Sequence, residues 1–290
     1  MAFKNQSFNP SQFHKSQIKF HLYLIPISLI MALPIVFIIN NAFKPYTELF
    51  VYPPRFFVRR PTIENFRLLF GFSTEAGIPL ARFLFNSVVV ATLVVILSVL
   101  FSLMTAYVLS KLPMKGKKQL FNINTMALMF VPVAVAIPRY LIIVNTGIFN
   151  TVWAHVLPLL AMPIGLFLVK QFIDQIPNEY LEAARVDGAS NWYIFWHVIV
   201  PQVKPAIVTV AFLAFQSTWG NIQSSTLFVD IETLRTLPFY LNTLIDSSGN
   251  VVASAGMNAA AQLIMFVPNF VLFIVLQSKI MESMTHSGIK

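Results

Sequence analysis

The sequence predicts an all-α membrane protein with six transmembrane helices, and three observations carry that prediction. Of its 290 residues 57% are hydrophobic and only 11% are charged, against roughly 25% charged in soluble domains. The apolar residues gather in repeated runs near the ~20 residues needed to cross ~30 Å of hydrocarbon. The second half carries one long polar interruption of that pattern, residues 177–201.

Residues 1–20 are polar and basic, and the run after them is long enough to span, so they read as a segment outside the bilayer and not as a cleaved leader. Residues 21–43 form the first span, in which Pro26 and Pro34 are tolerable if neighbouring helices satisfy the freed carbonyls. Residues 44–82, with FKPYTELF and YPPRFFVRRPTIENF, are too polar and too rich in proline to span, and read as an outer connection. The second span, 83–109, ends in a basic turn of Lys111, Lys115, Lys117 and Lys118. The third, 120–144, carries Pro132, Pro138 and Arg139. A charge there is costly in hydrocarbon, so Arg139 belongs against a cavity, a partner or the outer surface. Spans four to six follow at 151–173, 203–225 and 257–280, and 281–290 is a tail. The membrane domain is thus 21–280. Six spans put both termini on one side, and the basic residues of the N-terminal segment and the short loops make that side the cytoplasm.

The polar loop can be read residue by residue. Asn178 can cap the first free N–H groups of a short helix, and Glu179 suits the positive end of its dipole. Gly188 permits the left-handed conformation that ends helices. Ser190 can then cap a second helix, in which Trp192, Phe195, Trp196 and Ile199 fall at i, i+3, i+4, i+7 and make an apolar stripe facing the spans. Ala183 and Ala184 keep the first helix slim enough for a partner's groove, and Glu182 supplies one directed charge.

Glu182, Ala183, Ala184, Gly188 and Pro201 follow the pattern E-A-A-x3-G-x9-[IV]-x-[LV]-P. This resembles the EAA loop of the membrane subunits of binding-protein-dependent ABC importers, with Val198 and Val200 where the family usually has Ile and Leu. IPRYLIIVNTGIFNT, the Phe215–Asn221 run and TLPFYL look like the carbohydrate class, the maltose-permease-like importers. The resemblance implies the type I importer permease fold and contact with an ATPase through Glu182, Ala183, Ala184, Asp187, Gly188, Trp192 and Pro201. It further implies a second permease subunit as a heterodimer partner, two ATP-binding subunits docking on the loop, and an extracytoplasmic binding protein that delivers a sugar or oligosaccharide. The location it implies is the bacterial cell membrane. The family often has an acidic residue after the Asn of its W-N-E-F-like run, whereas here the order is Trp219-Gly220-Asn221-Ile222-Gln223.

Sugars need stacking faces and directed hydrogen bonds, which aromatic residues beside amides supply. Gln216, Trp219, Asn221 and Gln223, with Arg139, are therefore the substrate-path candidates. Taken singly, each also fits an interfacial belt or helix-to-helix hydrogen bonding.

No G-x-x-x-x-G-K-[ST] occurs, so the chain has no Walker A loop for nucleotide phosphates. ATP and Mg are expected on a partner, with no cofactor in this chain and no covalent chemistry of its own. The five His are dispersed and Cys is absent, which argues against a metal or a thiol nucleophile. The net charge of +9 is scattered around the spans, so no nucleic-acid partner is implied. A permease for another solute class, such as a polyamine, phosphonate or amino acid, would share the loop. A secondary transporter is the remoter alternative, since neither inverted repeats nor paired intramembrane charges are evident.

Overall fold

The computed structural model describes residues 17–49, 51–71, 77–131, 133–247 and 251–287. Helix α1 (Ile18–Phe43) is the first span, and the connection after it carries α2 (Tyr46–Leu49) and α3 (Glu64–Gly71). Helix α4 (Leu80–Lys111) is the second span and runs without interruption.

The third predicted span is not one helix. It consists of α5 (Lys117–Ala127) and α6 (Ala136–Asn145), separated by turns. Pro132 lies outside the described residues. The fourth span is a bent pair, α7 (Val152–Leu160) and α8 (Pro163–Asp174), at 45°. Pro163 has no N–H to continue the ladder, and Met162 before it sits outside the helical region (φ −112°, ψ 84°), as a residue preceding proline tends to.

Helix α9 (Asn178–Val186) lies in the polar loop, followed by α10 (Asn191–Ile194), a π turn (Phe195–Ile199) and α11 (Val200–Gln202). Helix α12 (Lys204–Trp219) is the fifth span, set at 81° to the Asn191–Gln202 segment. Pro201 and Pro205 both lack the N–H that would carry the ladder around that corner. The helix stops at Gly220, short of the predicted 225, and α13 (Gln223–Leu227) follows as a separate turn. A 3-10 turn (Glu232–Leu234), α14 (Leu237–Ser247) and α15 (Val251–Ser287) complete the chain. α15 contains the sixth span and continues into residues predicted as tail. Among the described residues, three helices can each cross a membrane by length and composition, and up to five spans are reached if each bent pair counts as one.

The chain divides into two compact units, Met1–Phe66 with Val252–Leu263, and Arg67–Val251 with Ile264–Lys290. In the first, Asn65 Nδ2 donates to the carbonyls of Ala42 and Lys44 at 2.8 Å each. A Cβ at Gly256 would lie 2.6 Å from Asn65 Oδ1, so the glycine permits that approach. Glu48 accepts from the backbone N–H groups of Arg59 and Arg60 at 3.0 Å, and chiefly the Arg59 bond holds its carboxyl below the ordinary carboxylate range.

In the second unit α4 is the central element, packed against α7, α8 and α12. Its buried residues, including Phe83, Asn86, Val90, Val94, Ser98, Ser102 and Ala106, recur every three or four positions and form one stripe. α8 comes close because Gly165 has no side chain: a Cβ there would stand 2.8 Å from Ser102 Oγ and 3.2 Å from Val210 Cγ1.

Candidate coupling loop and translocation path

The loop between the fourth and fifth spans is built from two capped helices. The left-handed Gly188 (φ 80°) ends α9, with Gly188 N donating to Arg185 O at 3.0 Å and Ala189 N to Ala184 O at 2.9 Å. That pair of bonds is the Schellman closure, which commonly brings together the side chains of the third residue from the end and the second residue beyond it. Here these are Ala184 and Ala189, both packed against the core. Ser190 Oγ then accepts from Tyr193 N at 3.2 Å and opens the second helix as predicted.

Asn178 does not cap α9, whose N-cap is Pro177 without a side-chain bond. Its Oδ1 instead accepts from Lys111 Nζ at 3.0 Å, and the same ammonium donates to Ile176 O at 2.6 Å. The end of α4 is thereby tied to the start of the loop. This contact joins residues far apart in sequence, and only the basic turn after the second span hinted at it.

The apolar stripe of the second helix is also redistributed. The π turn, seen in the Val200 N–H to Phe195 O bond, takes in an extra residue per turn and so rotates the helix register. Ile194, Phe195 and Ile199 become fully buried together with Leu181, beside Leu103, Tyr107, Phe172, Ile173 and Val203. Trp192 remains 59% exposed, stacked on Phe195 at 5.8 Å and edge-on to Trp196 at 5.9 Å. Phe195 and Ile199 therefore link the loop to the spans, whereas Trp192 faces outward. Tyr107 of α4 adds a ring contact to Phe195 at 5.3 Å and a long bond from its OH to Asn191 O at 3.4 Å.

The outward face of α9 presents Glu179, Tyr180, Glu182, Ala183, Val186 and Asp187, with Val186 87% exposed. Leu181 points inward and Ala184 is half-buried. Ala183 and Ala184 thus have different surroundings, the first exposed and the second packed against the core. Pro201 is exposed in α11. Glu182 makes no hydrogen bond or ion pair among the described residues, so its carboxylate is available for a cation outside the chain.

Of the path candidates, Trp219 is buried, its Nε1 donates to Met265 O at 3.1 Å, and its ring stacks on Phe215 at 5.3 Å. Asn221 Oδ1 accepts from Ser224 N at 3.0 Å. Gln216 and Gln223 are exposed. Arg139 is half-buried on α6 and forms no hydrogen bond or ion pair with this group among the described residues. His155 is buried between Ser224 Oγ at 2.8 Å and Leu234 O at 3.1 Å, in keeping with a packing role.

Cavities among the described residues open on the spans. One, of about 330 Å³, is apolar and lined by Val88, Val95, Phe212, Phe215 and Trp219 among others. Another, of about 200 Å³, sits at the break in the fourth span, with Ser102, Thr105 and Asn124 beside Ala161, Met162 and Pro163. Asn124 Nδ2 donates to Pro163 O at 3.1 Å, across the gap in the helix. Sequence reasoning missed this partly polar cavity, although Ser102 and Thr105 at i, i+3 opposite a proline-broken span were the available signal.

Residues 24–278 match the family of binding-protein-dependent transport system inner membrane components. The chain is 29% identical to the arabinooligosaccharides transport system permease protein AraQ of Halalkalibacterium halodurans, over 91% of this chain and 93% of that one. It is 30% identical to the probable ABC transporter permease protein YurM of Bacillus subtilis, over 93% and 86%. It is 28% identical to the sulfoquinovosyl glycerol transport system permease protein SmoH of Agrobacterium fabrum, over 89% and 88%. In fold it is similar to a chain from a bacterial ABC transporter involved in import of the acidic polysaccharide alginate, with a TM-score of 0.78, 20% identity, and coverage of 92% of this chain and 98% of that chain. The two-helix loop, the apolar spans and the match over almost the whole chain make this protein a multi-pass membrane permease subunit of the binding-protein-dependent ABC transport family.

Proposed function

We propose that the protein is a translocation subunit through which an ATP-driven importer passes a sugar or oligosaccharide. The observation that carries the coupling part is the outward face of α9. An unpaired Glu182 carboxylate stands there beside exposed Ala183 and Val186, on a helix whose other face is locked into the span ends. Exposed apolar side chains among acidic ones suit a groove with basic residues. The sugar part is supported by relatives named for arabinooligosaccharide, sulfoquinovosyl glycerol, trehalose and galactooligosaccharide transport.

In this reading two ATPase subunits, which hold the ATP and Mg, draw the loops of this chain and of a second permease together. The spans respond by alternating access to a shared path. An extracytoplasmic binding protein delivers the substrate. The termini face the cytoplasm of a bacterial cell, residues 44–82 lie outside, and 21–280 form the permease domain. Gln216, Trp219, Asn221, Gln223 and Arg139 remain the proposed path residues.

Copurification of the chain with its nucleotide-binding subunits, followed by ATP hydrolysis assays with the cognate binding protein and a glycan panel, tests the proposal. Stimulation by one glycan class is the expected result. Stimulation by amino acids or polyamines and by no glycan would replace the substrate class, and hydrolysis unaffected by any loaded binding protein would remove the coupling reading.

A further inference from the structure

Residues 52–60 fold back along the end of α1. The Phe56 ring lies 5.8 Å from that of Phe37, and Val58 N donates to Asn40 Oδ1 at 3.1 Å. Lys44 is buried at the corner, its Nζ donating to Asn41 Oδ1 at 2.8 Å and to Arg55 O at 2.5 Å. Glu48 holds the Arg59 and Arg60 N–H groups, and Thr62 N donates to Phe43 O at 2.8 Å. These bonds fix the backbone of the segment, and its larger side chains are left outside. Tyr52 is 92% exposed and Phe57 67% exposed, and the side chains of Arg55, Arg59 and Arg60 are exposed as well.

Depth separates the possible surroundings of this patch. Phe37 is six residues before the end of α1, about 9 Å along the axis at ~1.5 Å per residue. Asn40 and Asn41 mark the point where α1 turns polar, so Phe37 is on the hydrocarbon side of the boundary. A segment packed on Phe37 lies at the level where interfacial elements sink their apolar face, roughly 5–10 Å into the headgroup and acyl boundary. Phe57, edge-on to Phe56 at 5.0 Å, is thus an exposed aromatic at the depth of an interfacial belt. The three arginines make no ion pair among the described residues; Arg55 lies within electrostatic reach of Glu48, whose two oxygens each accept from a backbone N–H. A guanidinium is a planar fork that matches phosphate oxygens, and its stem can run along apolar surface while the head reaches the headgroups.

We propose that residues 52–60 are a phospholipid-binding collar at the end of the first span, with Phe57 in the acyl boundary and Arg55, Arg59 and Arg60 on the phosphates of anionic lipid. The collar fixes the depth of α1 and does not depend on the transported solute.

The chain has no Cys, so a spin label on Phe57→Cys reports this position alone in the chain. In the assembled importer, in nanodiscs of phosphatidylethanolamine and phosphatidylglycerol, the label should collide with oxygen more often than with the water-soluble nickel chelate. Free access by the chelate would overturn the proposal. So would protection that arises only when the cognate binding protein is added, since that result would make the patch a protein-docking face. Native mass spectrometry of the R55Q/R59Q/R60Q variant tests the phosphate contacts without touching the backbone bonds to Glu48. Loss of retained phosphatidylglycerol relative to the parent is expected, and equal retention would overturn the assignment.

Discussion

Lys111, the last residue of α4, donates to Asn178 Oδ1 at 3.0 Å and so binds the end of the second span to the first residue of α9. Its second bond, to Ile176 O at 2.6 Å, satisfies a carbonyl just before that helix. Hydrogen bonds to a charged group contribute about 1.5–3 kcal/mol each. Lys111→Met should therefore lower the thermal midpoint of the purified subunit and weaken stimulation of ATP hydrolysis by the loaded binding protein. Parent values for both would show that the contact transmits nothing.

A Cβ at Gly188 would meet no atom within 4 Å, yet the φ of this residue is +80°. Any penalty at this position is therefore conformational and not steric crowding. Asn tolerates the left-handed region, whereas a β-branched residue resists it. Gly188→Asn should keep transport near the parent rate, and Gly188→Val should cost about 1–3 kcal/mol and uncouple the loop. Equal behaviour of the two variants, read by uptake and by thermal unfolding, would contradict the Schellman reading.

Gly165 sets the approach of α8 to α4. A methyl there would meet Ser102 Oγ at 2.8 Å, closer than real Cβ contacts come. Overpacking of this kind costs about 1–3 kcal/mol. Gly165→Ala should be destabilising alone and partly rescued by Ser102→Ala, giving a coupling energy in a double-mutant cycle because the two positions touch. Strict additivity of the two unfolding shifts would contradict a direct clash between the two positions.

The sequence disclosed what depends on short-range chemistry. Gly188 and Ser190 could be assigned because a left-handed stop and a hydroxyl cap act within a few residues. The uninterrupted spans α1 and α4 were legible from apolar length alone. Asn178 was read as a cap because its true partner, Lys111, is brought to it only by the packing of α4 against α8. Trp192 was assigned to the inner face because a 3.6-residue period was carried through a turn that the structure winds as a π helix. The proline break in the fourth span was visible as a residue but not as a break, since whether neighbours compensate for a lost N–H is a tertiary matter. In the fifth span the amide and aromatic pattern was plain, but the bond of Trp219 to Met265 joins groups that no sequence period relates.

The central claim is that α9 couples this permease to an ATPase through the Glu182 carboxylate. Truncating one member of a buried charged pair costs about 3–5 kcal/mol because the other charge is left unpaired, whereas exposed pairs are worth about 0–1 kcal/mol. The decisive measurement is ATP hydrolysis by the reconstituted importer with and without loaded binding protein, comparing Glu182→Ala with Glu179→Ala in the first turn of the same helix. The account predicts that Glu182→Ala loses either ATPase binding or the stimulated component, while Glu179→Ala keeps both. A Glu182→Ala importer that assembles normally and is stimulated to the parent level would contradict it.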